Sequence, residues 1–67
     1  MNDDYVKVTG WLCTVSQDAV LIMNDDFSGW IPQSLIHGGD LIKMKKAGNV
    51  RLVTFRLVAW KAEQLGL

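Results

Sequence analysis

The chain has 67 residues, 49% of them hydrophobic and 21% charged, and its formal net charge is zero. That balance excludes intrinsic disorder, and the length leaves room for one domain over residues 1–67 with a thin core. One cysteine and one histidine exclude an internal disulfide and a four-ligand zinc site, which leaves self-association as the device by which so small a domain gains stability.

Turn signals fall at Gln17-Asp18, at 24–29, at 37–40 and at 47–49, and the short segments between them predict five strands. The first, residues 5–15, alternates with Val6, Val8 and Leu12 on its buried face, and Gly10 marks a bend or bulge. The second, residues 19–23, is apolar on both faces and is therefore central, whereas the third, residues 29–36, contains Pro32, which cannot donate to a ladder and belongs on an edge or at a bulge. The fourth, 41–46, carries Lys43 and Lys45 on one side, and the fifth, 50–57, alternates Arg51, Val53, Phe55 and Leu57 against Leu52, Thr54 and Arg56. From residue 58 the period changes: Val58, Ala62 and Leu65 follow helical spacing to residue 65, and Gly66 is placed to stop the helix. Five short strands and a terminal helix predict a mainly β fold, a small SH3-like or OB-like barrel capped by the helix.

Charge is divided along the chain. Residues 1–33 hold Lys7 against Asp3, Asp4, Asp18, Asp25 and Asp26, a net −4, while residues 34–67 hold a net +4. In a barrel meander the halves interleave and the charges pair across strands, and a distinct basic surface is the other outcome. The acidic N-terminus has no secretory pattern, the longest apolar run is too short to span a membrane, and a lone thiol fits a reducing compartment, so a cytoplasmic location is expected.

Enzymatic chemistry finds no support. His37 sits in a Gly-Gly turn without a carboxylate or nucleophile pattern, and Cys13, between apolar neighbours, reads as a buried inert thiol. Asp25-Asp26 offers too few oxygens for a cation loop, and Gly38-Gly39 lacks the Lys-Ser/Thr end of a phosphate loop. No catalytic, metal or cofactor site is expected.

Two binding readings remain. In the first, exposed apolar area around Pro32, Ile36, Trp60 and Leu65 meets a second copy or another protein. In the second, Lys43, Lys45, Lys46, Arg51 and Arg56 neutralise phosphates of single-stranded DNA or RNA while Trp11 or Trp30 stacks on bases, although zero net charge disfavours it. A domain of this size also needs large side chains inside, so Phe55, Trp60, Trp11 and Trp30 are all expected to contribute to the core.

The order Ala19-Val20-Leu21-Ile22, then Trp30-Ile31-Pro32-Gln33-Ser34-Leu35-Ile36, then Trp60-Lys61-Ala62-Glu63-Gln64-Leu65-Gly66-Leu67 resembles small proteins encoded by bacteriophages, prophages and plasmids. The resemblance implies an accessory protein of a bacterial mobile element that binds host or phage macromolecules. It carries over no catalytic or binding residue.

Overall fold

In the computed structural model, which describes residues 4–45 and 50–67, the chain forms β1 (Tyr5–Val15), β2 (Ala19–Met23), β3 (Ser28–Pro32), a 3-10 turn (Gln33–Leu35), α1 (Gly38–Lys45), β4 (Arg51–Val58) and α2 (Ala59–Gln64). The strands make one antiparallel sheet in the order β3-β2-β1-β4. It is open, with β3 and β4 at its edges, so the fold is mainly β but is not the closed five-stranded barrel that strand spacing predicts.

Three elements differ from expectation. The predicted strand 41–46 is helical up to Lys45, because Leu, Met and Lys favour a helix and Leu41 and Met44, one turn apart, both reach the core. The predicted strand 29–36 ends at Pro32 and continues as the 3-10 turn. In β1 the register slips between Leu12 and Thr14, leaving Cys13 as the extra residue, so the bulge lies three residues beyond Gly10. The predicted turn at 47–49 lies outside the described residues.

The core follows from alternation. Val8 and Leu12 of β1, Val20 and Ile22 of β2, Ile31 of β3, and Val53, Phe55 and Leu57 of β4 all face one side and are buried. Ile36, Met44 and Ala62 cover that side from the 3-10 turn, α1 and α2, which makes two layers around one core. Each fully buried side chain of this kind contributes about 1.5 to 3 kcal/mol of transfer free energy. Val6, expected inside, is exposed, since β1 at that point runs beyond the β2–β3 hairpin and pairs with β4 alone.

Side chains fix the connections. Asn24 closes the β2–β3 turn: its Oδ1 accepts from the N–H groups of Asp26 and Phe27 at 2.9 and 2.8 Å, and its Nδ2 donates to the Thr9 carbonyl at 3.2 Å. Gln33, buried, donates through Nε2 to the Ser16 carbonyl at 2.7 Å, and its N–H donates to the Asp18 carbonyl, which ties the 3-10 turn to the β1–β2 turn. At the end of α2, Gly66 has φ +78°, the left-handed conformation that favours glycine. Its N–H donates to Glu63 and that of Leu67 to Ala62, so the predicted helix stop is a Schellman motif.

Candidate functional site

Among the described residues, only one face of the sheet is covered. The other carries the alternate residues, in rows set by the register. Leu52, Trp11 and Met23 stand side by side on β4, β1 and β2, and the next row holds Thr14, Leu21 and Trp30. Cross-strand neighbours lie about 5 Å apart, so the two rows form a continuous patch. Trp11 is 50% exposed, Met23 45%, Trp30 51% and Leu52 56%. Beside them a hollow of about 380 Å³ is lined by Thr9, Gly10, Trp11, Met23, Asn24, Asp25 and Leu52. Thr9 and Thr54 continue the face with a hydroxyl–hydroxyl bond of 2.8 Å, and Lys7 stands opposite Arg56 beyond them.

The tryptophans expected in the core are therefore on this face, and Trp60 is 58% exposed on α2. The sheet's inner face is already filled by aliphatic residues and Phe55, and an indole needs more depth than a core this thin offers. Of the four residues proposed for protein contact, Pro32 and Trp60 are exposed, Ile36 is buried at 4%, and Leu65 packs against the core. Ile36 is therefore not available for contact: it bridges to Leu57 beneath β4.

The basic residues do not converge on the tryptophans. Arg56 is held by Asp40: Nε donates to Oδ2 at 2.9 Å, Nη2 to Oδ1 at 3.2 Å, and the Arg56 backbone N–H to Oδ2 at 2.9 Å. This two-pronged bond clamps α1 to the outer edge of β4. Arg51 donates through Nη2 to the Lys43 carbonyl at 2.7 Å. Lys43 and Lys45 are exposed on α1, and Lys46 lies outside the described residues. His37 is half-buried. Its Nδ1 accepts from the Gly39 N–H at 3.2 Å ahead of α1, its backbone N–H donates to the Arg56 carbonyl, and its ring meets Tyr5 edge-on at 5.3 Å. Cys13 is half-buried at the bulge, its thiol directed at the Trp11 carbonyl 3.7 Å away.

Charge is sorted across the sheet rather than interleaved. Only β1 pairs with a strand from the second half of the chain, so β2, β3 and their turns stay together with Asp18, Asp25 and Asp26, and residues 16–36 contain no lysine or arginine. The opposite edge, β4 with α1, carries Lys43, Lys45, Arg51 and Arg56, the last of them paired with Asp40 of α1.

The Asp40–Arg56 contact also sets a pH dependence. Hydrogen bonding from the Arg56 side chain lowers the Asp40 pKa from 3.8 to about 2. Because the folded-state value lies below the ordinary one, the stabilisation is complete above about pH 4 and is lost as pH falls toward 2. Thermal melts between pH 5 and 2 are expected to show a steeper fall for the native chain than for Asp40→Asn, by a modest and salt-sensitive margin since Arg56 is partly exposed. Superimposable pH profiles would show that the clamp does not contribute.

Among the described residues no three His, Cys, Asp or Glu side chains are grouped to hold a metal ion, and no helix is long and apolar enough to cross a membrane. Comparison of the chain with protein-family models, curated proteins and solved structures finds no match.

Proposed function

We propose that this chain is a non-enzymatic binding or assembly module that acts through protein–protein contact at the open face of its sheet. The observation that carries the reading is the row of Leu52, Trp11 and Met23 with Trp30 beside it, all about half exposed on one face of the four-stranded sheet. Soluble domains seldom leave so much contiguous apolar area uncovered without a contact for it, and tryptophan is the residue most enriched at the centres of protein interfaces. Pro32 at the end of β3 extends the face, and Trp60 on α2 gives a separate exposed anchor. The mobile-element setting implied by the sequence resemblance forms part of this proposal.

Single-stranded nucleic acid is the second reading, favoured by the same two exposed indoles. It stands behind the first because Arg56 and Arg51 are engaged within the fold and the hollow beside Trp11 is bordered by Asp25, which repels phosphate.

The test is Trp30→Lys combined with Leu52→Lys. Both side chains point away from the core, so the melting temperature is expected to stay nearly unchanged. In bacterial lysate the native chain is expected to elute with an assembly larger than 7.5 kDa, and the double variant as the free chain. Elution of both as free chains would refute the reading. A salt-sensitive gain of mass with a mixed-sequence single-stranded oligonucleotide would put the second reading first.

A further inference from the structure

We infer that the outer edge of β3 is a docking site for an extended, basic segment of another protein, which adds to the sheet as a further strand antiparallel to β3. The inference concerns the edge of the sheet and does not depend on the reading of its open face.

The register decides which backbone groups of β3 are free. The Asn24 N–H donates to the Phe27 carbonyl at one end of the β2–β3 pair, and the Gln33 N–H donates to the Asp18 carbonyl at the other. Hydrogen-bonded positions alternate along an antiparallel pair, so between these ends Gly29 bonds to Ile22 and Ile31 to Val20, while Ser28, Trp30 and Pro32 turn their backbone groups outward. Among the described residues nothing bonds to the outward groups of Ser28 and Trp30. The other edge differs: on β4 the outward N–H and C=O of Arg56 are taken by Asp40 and His37. An unpaired edge is a template for a further strand. Pro32 has no N–H to offer, which ends the template there.

Side chains and charge select the occupant. Trp30 is 51% exposed on the open face. On the covered side the half-buried Phe27 ring lies against Gly29, 3.1 Å from the position a Cβ would take. A strand beside β3 therefore meets an aromatic ring on each face, opposite Trp30 and opposite Gly29, and takes apolar residues at both positions. Asp25 and Asp26 are exposed in the turn that leads into β3, no ion pair holds them among the described residues, and residues 16–36 contain no lysine or arginine. An antiparallel strand passes that turn with its C-terminal end, which therefore carries the basic residues.

The probe is the acetylated and amidated peptide Thr-Thr-Val-Val-Thr-Lys-Lys, whose first valine stands opposite Trp30 and whose lysines run past the acidic turn. With a dissociation constant of about 100 µM, about 1 mM peptide occupies nearly all of the chain, and amide exchange at Ser28 and Trp30 slows by about 10-fold. Gly29 and Ile31, already bonded to β2, change little. N-methylation of the first valine and of the threonine after the second removes the donors to the Trp30 and Ser28 carbonyls and weakens binding by about 10-fold or more. N-methylation of the second valine, whose N–H points away from β3, leaves binding intact. Glutamates in place of the lysines weaken binding by about 10-fold at low salt, and Asp25→Lys with Asp26→Lys reverses the preference between the two peptides. A probe that slows neither amide at about 1 mM overturns the inference, as does equal binding of the lysine and glutamate peptides. Slowing at Ser28 and Trp30 that grows with the concentration of the chain alone overturns it as well, because β3 then pairs with a second copy.

Discussion

Phe55→Ala is expected to lower stability by about 3 to 5 kcal/mol, the range for removing a buried aromatic ring. Phe55 lies in the middle of β4, opposite Val8, and is 1% exposed, so alanine there leaves a cavity that neighbours on both layers must collapse to fill. A domain of this length has roughly 3 to 10 kcal/mol in total, at about 0.05 to 0.15 kcal/mol per residue. The variant is therefore expected to be largely unfolded or close to it at 25 °C, as read by far-ultraviolet circular dichroism in a urea titration. Trp60→Ala in the same assay is the control: it removes a larger side chain, but one mostly in solvent, and is expected to cost far less. Equal losses for the two would contradict the division between core and surface described above.

The second large effect is expected at Gly10. A Cβ placed there would lie 2.8 Å from Ile22 Cγ2 and 3.0 Å from the Met23 carbonyl oxygen. Neither atom yields cheaply, since Ile22 is β-branched and wholly buried and the carbonyl belongs to the β1–β2 ladder. Gly10→Ala is expected to cost about 1 to 3 kcal/mol by overpacking. The substitution would also push β2 away from β1 beneath Trp11 and Met23, so amide exchange is expected to accelerate along β2 more than along β4. An alanine variant as stable as the native chain would show that the strands separate freely at this point.

Much of this architecture was legible in local pattern. The bounds of β1 and β2, the alternation of Val53, Phe55 and Leu57, the edge position of the strand holding Pro32, and the Gly66 helix stop all depend on neighbours within a few residues, where period and backbone chemistry speak directly. Residues 41–45 were not legible, because a run as short as Leu-Ile-Lys-Met-Lys carries strand alternation and helical spacing together, and the packing of Leu41 and Met44 against the core, which selects the helix, involves positions far apart in sequence. The open face was hidden for a related reason. Leu21 and Met23 mark β2 as apolar on both sides, which reads as burial on both sides, yet among the described residues nothing covers one of them. Size also misled for the tryptophans, since the volume of a side chain says nothing about which side of a strand it occupies. Alternation along β1 does: Trp11 falls between Gly10 and Leu12, both of which face the core.

The strand order has a consequence in time. β1 is made before the other strands and sits inside the finished sheet, but the strand that completes its outer side, residues 51–58, is the last of the four. Tyr5 waits for Val58 and Leu12 for Arg51. During synthesis one edge of β1 therefore stays unpaired until β2, β3, α1 and β4 have all been made, and an unpaired edge is a template for other strands. Pairing of such distant segments also slows folding relative to a helical chain of equal length. A chain that stops short of residue 51 has three sheet strands with no Val53, Phe55 or Leu57 to close their core, so the fold is secured only by β4.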